Sequence, residues 1–252
     1  MNLQQLQQDV KKQLTQNGWV VRDELLYSLP VHTVEVSYYP VQRTVMDILM
    51  KMMLISYERA ALKDPELLAD ILLVEPLFIH DLTNKMMQLG MLKKSEGGLI
   101  ELTTKGRLQK EQGVFEEQLP MQTEQLYYSP THAAFFGGDI DEFAELADIP
   151  ALSPYACEAL GDIDPQPLIS YLTELQPLPL EDEPQTFVTE IEQLTPIQVN
   201  DIPLLQFICY EEKSDKLFVK VWNSLTNEWD AVMEELITTN ERAKWLSLYE
   251  KL

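Results

Sequence analysis

Between Thr44 and Lys63 the chain carries apolar side chains around most of a helix. Val45, Met46, Ile48, Leu49, Met50, Met52, Met53, Leu54 and Ile55 leave only Asp47, Lys51 and Glu58 as a narrow polar stripe. A helix patterned this way is stable in water only when neighbours cover more than one of its sides. The segment therefore demands packing partners, and the residues that follow offer them. Asp64-Pro65-Glu66 starts a second helix, with Asp as cap and Pro at the first helical position, and LLADILLV carries it for two turns. Glu75-Pro76 interrupts. LFIHDLTNKMMQLG then forms a third helix with Ile79, Leu82, Met86 and Leu89 on one face, ended by Gly90. MLKK and LIEL, joined by Ser95-Glu96-Gly97-Gly98, read as a hairpin that leads into Thr103-Thr104-Lys105-Gly106-Arg107. Seven of the ten methionines lie between Met46 and Met91. They are either deformable core filler, the simpler reading, or an adaptable partner surface.

This order of helix, short helix, second short helix and two-stranded wing resembles the winged helix-turn-helix. The closing LIELTTKGR is similar to the wing and exit of bacterial regulators of the MarR, PadR and ArsR type, where a Leu-Thr pair, two residues and a Gly form the analogous phrase. The resemblance covers about residues 44–107, and no family is recognised for the whole chain. It implies either DNA reading or protein docking, because winged helices serve both. In a DNA reader the third helix enters the major groove with His80, Asp81, Asn84, Lys85 and Gln88 on its solvent face. Asn84 and Gln88 suit adenine, and Lys85 a phosphate or guanine. The wing adds Lys93 and Lys94, with Arg107 and Lys110 just beyond. Against this, Asp81 points at the same groove, the helix has no arginine, and Glu96 occupies the wing tip. Three or four cations supply only modest salt-dependent attraction. The plainest account of these polar side chains is that they solvate an exposed helix face.

The charge distribution separates two unlike halves. Residues 1–110 hold 13 Lys+Arg and 13 Asp+Glu, whereas residues 111–252 hold 6 and 28, so the net −22 belongs to the second half. Phosphates and anionic lipids repel such a surface. The first half, being neutral, is not covered by that exclusion.

An α+β fold is expected: a winged-helix domain followed by an acidic mixed α/β region with a C-terminal β-hairpin plus helix. Residues 1–39 read as an N-terminal helix and one or two strands. Asn2 is placed to cap the helix, Leu3, Leu6, Val10 and Leu14 share its face, and Asn17-Gly18 stops it. Val34, Val36 and Tyr38 then alternate with polar residues at strand period. Residues 40–112 form the winged-helix module. Residues 113–200 form an acidic, Pro-rich region with short helices. There LYYSPTHAAFF reads as a small hairpin or extended segment, and GDID occurs twice, before EFAELAD and before PLISYLTEL, with Asp141 and Asp164 as N-caps. Nine prolines between Pro150 and Pro203 imply extended connector. Residues 201–252 give a hairpin, LLQFICYEE and LFVKVWN around Lys213–Lys216, and a last helix capped by Asn240. So small a piece must pack on the rest of the chain or on a partner. Trp222, Trp229 and Trp245 are the candidate anchors, with core placement favoured.

No catalytic constellation is visible. His32, His80 and His132 have no nucleophile nearby in sequence and no metal-ligand spacing, and no GxSxG, P-loop, GxGxxG or HExxH occurs. Counting from Asp139, the sixth position of a calcium loop is Ala144 and not the required Gly. Cys157 and Cys209 alone make neither a disulfide framework nor a zinc cluster, and Cys209 in LLQFICY reads as a buried, inert thiol. No apolar run is long enough to span a bilayer and the N-terminus is rich in Gln, so a cytoplasmic protein without cofactor, metal or membrane contact is expected. The favoured role is a non-catalytic regulatory or assembly subunit that presents the winged helix and the acidic surface to protein partners. The alternatives are a DNA-binding transcriptional regulator whose acidic half binds a partner or dimerises, and an inhibitor whose acidic half imitates DNA.

Overall fold

A computed structural model of the chain describes residues 3–60, 62–138, 140, 150–179 and 183–249. Seven helices and nine strands among the described residues, with antiparallel strand pairs, make an α+β protein. The chain divides into two units. The first comprises residues 1–37, 123–168 and 192–252, and the second residues 38–122 and 169–191.

The first unit is built on a sheet. Helix α1 (Leu3–Gln16) ends at Gly18, whose φ of 81° suits the left-handed stop expected there. Strand β1 (Val20–Val45) runs on without break, so the alternating segment is one long strand and not a short pair. Strands β5 (Gln122–Ser129) and β6 (Ala134–Phe136) form the expected small hairpin around Pro130. Strand β7 (Gln185–Glu211) and strand β8 (Lys216–Asn223) pair from Leu204↔Asn223 to Glu211↔Lys216, and the short β9 (Glu228–Trp229) follows. The strand order is β6-β5-β1-β7-β8-β9. The last third of the Pro-rich stretch, from Gln185 through Pro196 to Pro203, is therefore strand instead of connector. Proline tolerates this because its φ lies in the extended region and its carbonyl still accepts: Pro203 O takes the Ser224 N–H (3.3 Å) and hydroxyl (2.6 Å).

The apolar run LLQFIC is explained by burial on both faces of β7. Leu204 and Ile208 pack with Val219, Val221 and helix α7 (Ala231–Tyr249) through Met233, Ile237 and Trp245. Leu205, Phe207 and Cys209 pack on the other face with Val10 and Leu14 of α1. Helix α7 begins nine residues before the expected cap. Asp230 accepts the Met233 N–H (3.0 Å), whereas Asn240 lies inside the helix and donates to Leu236 O (2.7 Å). Helix α6 (Pro165–Glu174) starts as expected, with Asp164 accepting the Gln166 N–H at 2.9 Å. The Asn2 cap, the Asp141 cap and the helix EFAELAD lie outside the described residues.

The second unit holds α2 (Ile48–Arg59), α3 (Glu66–Leu72), α4 (Pro76–Gln88), a hairpin of β2 (Leu92–Lys94) and β3 (Ile100–Leu102), α5 (Thr104–Gln112) and β4 (Val114–Gln118). Helix α2 is shorter than its apolar pattern, because Asp47 caps it by accepting the Met50 N–H and Ala60 closes it. Met46, Met50, Met53, Met86 and Met91 are buried with Leu54, Tyr57, Leu68 and Ile79, which makes most of the methionine cluster core filler. Met52 is the exception among the methionines of α2 and faces solvent, as does Ile48. Thr83 donates to Ile79 O (2.8 Å), so its oxygen is left to accept the Tyr57 hydroxyl (2.9 Å), pinning α4 to α2.

Candidate functional site

Helix α4 is positioned by its buried face of Ile79, Thr83 and Met86, which turns His80, Asp81, Asn84, Lys85 and Gln88 to solvent. Pro76 starts it where no N–H is needed, and Gly90, at φ 71°, lets the chain reverse into β2. The way back out of the hairpin is locked by Thr103 and Gly106. Thr103 donates its hydroxyl to Gly90 O (2.6 Å) and its N–H to Met91 O (3.0 Å), and accepts the Gly106 N–H (3.0 Å). A side chain on Gly106 would place Cβ 2.1 Å from Met91 O. The Thr-x-x-Gly phrase thus has a local steric and hydrogen-bonding cause.

A groove of about 810 Å³ lies beside α4, lined by Asp81, Asn84, Lys85, Gln88, Lys105, Glu116, Glu117 and their neighbours. Strand β4 supplies its acidic wall by pairing with the end of β1, Arg43 opposite Glu116 and Gln42 opposite Glu117. Lys85 Nζ lies 3.4 Å from Glu117 Oε2 and 5.7 Å from the centre of the Phe115 ring. Arg43 donates twice to Glu116 Oε1, at 2.6 and 3.0 Å. Of the two lysines that line the groove, Lys85 is thus paired, whereas Lys105 is exposed with no ion pair among the described residues. Asn84, Lys85 and Gln88 come together along it. His80 is exposed outside it, and Lys93, Lys94 and Arg107 are exposed on β2 and α5. Lys93 stands opposite Glu101 in the hairpin register. Lys110 is hydrogen-bonded to Glu58, and that bond holds the Glu58 carboxyl below the usual range. Glu116 and Glu117 were not among the residues expected at this site. VFEEQ reads as an exit from the wing, and only its pairing with β1 returns it to α4.

A second feature escapes the sequence pattern. Leu67, Ile71, Leu73, Leu77 and Phe78, along α3, the turn and the first turn of α4, are each more than half exposed. Leu73, in the turn, is 91% exposed and adopts φ 55°, the left-handed region usually given to Gly or Asn.

The candidate anchors differ among themselves. Trp245 is buried and donates its Nε1–H to Glu241 Oε2 (3.1 Å). Trp222 and Trp229 are half-buried and meet edge to face at 5.1 Å, and the Trp222 Nε1–H has no acceptor among the described residues.

In the first unit the fold assembles Ser129, His132 and Asp230, which corrects the expectation that His132 has no hydroxyl near it: Ser129 lies three residues before it, and the β5–β6 turn brings the two together. Ser129 Oγ lies 2.8 Å from His132 Nδ1, and His132 Nε2 lies 2.9 Å from Asp230 Oδ1. Asp230 also accepts from Asn223 Nδ2 (3.1 Å) and Met233 N. Burial pushes the Asp230 carboxyl up, and the His132 hydrogen bond and charge with the two further donors outweigh it, so it stays below the usual range. The Nε2–H donates to the ionised Asp230, and in the neutral ring this leaves Nδ1 to accept the Ser129 hydroxyl. The three residue types are those of a nucleophilic triad, but the ring nitrogens are exchanged: a triad sets Nε2 against the serine and Nδ1 against the aspartate, whereas here Nδ1 faces Ser129 and Nε2 faces Asp230. Ser129 is fully buried, however, and no substrate carbonyl reaches it. The network joins the β5–β6 turn to the start of α7.

Burial pushes the Cys209 thiol up to about 12, so it stays protonated. No metal-binding group of His, Cys, Asp and Glu occurs among the described residues, and no helix there is long and apolar enough to cross a membrane. No protein-family model, curated protein or solved structure matches the chain.

Proposed function

We propose that residues 44–107 act as a winged-helix module for protein docking, within a non-catalytic regulatory or assembly subunit. The order α2-α3-α4-β2-β3 and the Thr103–Gly106 closure support the winged-helix reading. The observation that carries the docking reading is the solvent side of α4. Its first turn presents Leu77 and Phe78, Asp81 follows one turn on, and Lys85, the only Lys or Arg of the helix, is paired with Glu117. A groove reader needs donors and unpaired cations there, because phosphate contacts supply affinity and base-edge contacts supply specificity. An exposed apolar surface edged by acids suits a protein partner instead. The exposed Lys93, Lys94 and Arg107 favour DNA as the second reading.

A salt-series titration of fluorescent random duplex DNA with the full chain separates the two. The docking reading expects no salt-dependent binding. A steep salt slope that disappears in Lys85→Glu, Lys93→Glu and Lys94→Glu overturns it.

A further inference from the structure

We propose that the α3–α4 surface receives a basic amphipathic helix of a partner protein, with Leu73 as the central contact. The inference rests on the docking reading above and specifies its occupant. Three observations carry it. First, Leu67 and Ile71 are one helical turn apart on α3, and Leu77 and Phe78 open α4, so exposed apolar side chains flank the turn that holds Leu73 on both sides. Second, Leu73 is doubly disfavoured where it stands. Its side chain meets water, and its backbone takes a conformation in which a side chain is strained. Gly would avoid both, and the entropy it adds to the unfolded chain only offsets that gain, so stability alone gives leucine no advantage here, whereas a bound partner would.

Third, the rim has one sign. From Asp64 to Asn84 the chain has Asp64, Glu66, Asp70, Glu75 and Asp81, all exposed, and no Lys or Arg. A complementary helix carries leucine-like side chains on one face and Lys or Arg beside them. An acid-rimmed face repels phosphate and anionic lipid, which leaves a protein as the occupant.

The test uses the full chain and two fluorescent helical peptides with the same leucine face, one with Lys and one with Glu at all other positions. Anisotropy titrations at physiological ionic strength should show the Lys peptide binding at least about tenfold more tightly than the Glu peptide. Leu73→Gly and Phe78→Ser should each weaken it about tenfold or more. Leu73→Gly changes no charge and suits the backbone, and Leu73→Asn, which tolerates the left-handed conformation without glycine's freedom, should weaken binding alike, so that the loss follows the leucine side chain and not a looser turn. Leu178→Ser removes a leucine that is 90% exposed elsewhere and should leave binding unchanged. Equal binding of both peptides, lost in Leu73→Gly, overturns the basic partner and leaves the docking reading standing. Lys-peptide binding that ignores Leu73→Gly and Phe78→Ser overturns the surface assignment and shows unspecific attraction to acid. Binding of neither peptide overturns both the occupant and the reading beneath it. A wild-type dimer that Leu73→Gly dissociates in sedimentation assigns the surface to a second copy of this chain and overturns the basic partner.

Discussion

Lys85 on α4 and Glu117 on β4 stand 3.4 Å apart, both side chains more than 40% exposed. A pair this open to solvent adds about 1 kcal/mol or less to stability. Its consequence is electrostatic. The cation best placed on α4 to meet a phosphate already faces a carboxylate, while one residue along the strand pair Arg43 is held by Glu116 and lies over the Phe187 ring, outside the groove lining. The neutral count of residues 1–110 is thus deceptive about the site, because two acids from just beyond that boundary return to it.

Gly106→Ala should destabilise the second unit by about 3 kcal/mol or more. The added Cβ meets backbone atoms of Met91, which cannot rotate away, and relief requires moving the helix–hairpin junction. Urea denaturation followed by circular dichroism reads this as a lower midpoint. An unchanged midpoint contradicts the close approach.

Leu73→Gly should leave stability within about 1 kcal/mol of wild type. Relief of left-handed strain, about 1 kcal/mol, is offset by about 0.5–1 kcal/mol of extra chain entropy in the unfolded state. A loss of several kcal/mol in the same denaturation assay would show that Leu73 is part of the core and not a projecting side chain.

The helices and hairpins were legible where local chemistry sets them. Asp164 caps by accepting the Gln166 N–H, Gly18 and Gly90 stop helices at positive φ, and Ile79 and Met86 mark the buried face of α4, whereas Asp47 reads as part of a polar stripe and proves to be the cap of α2. Asn240 misled because Asn is a good cap in general, while Asp230 does that work ten residues earlier inside a network reaching back to His132. The prolines of β7 misled because their cost in a strand depends on whether the missing N–H had a partner, which the pairing decides. At the site, Asn84, Lys85 and Gln88 were readable from helical period. Glu116 and Glu117 were not, since strand pairing alone returns them to α4, and neither was the left-handed turn at Leu73.

Asp230→Asn should cost about 2–3 kcal/mol at neutral pH, by leaving buried donors facing an amide. The pH dependence has a definite sign. The carboxyl is held below its ordinary value in the folded chain, so its contribution is complete above the unfolded value near pH 4 and is lost as pH falls through the lower folded one. Denaturation midpoints between pH 7 and pH 3 should fall more in wild type than in Asp230→Asn. Parallel curves would remove Asp230 as a source of acid sensitivity.

Ser129 should not react with a fluorophosphonate probe in the folded chain, despite its contact with His132. Its burial withholds the hydroxyl from any electrophile of that size. Mass spectrometry that finds Ser129 labelled under native conditions, with the label absent in His132→Ala, would make the network an active site.

The most direct test of the account neutralises the acidic wall. Duplex DNA anisotropy at low ionic strength should show no binding by the wild-type chain and weak, salt-sensitive binding by the Glu116→Gln, Glu117→Gln double variant, in which Lys85 is released beside Lys105 and the acidic wall is gone. Wild type that binds duplex DNA as tightly as the double variant would contradict the claim that β4 cancels the charge of α4 and turns this surface toward protein.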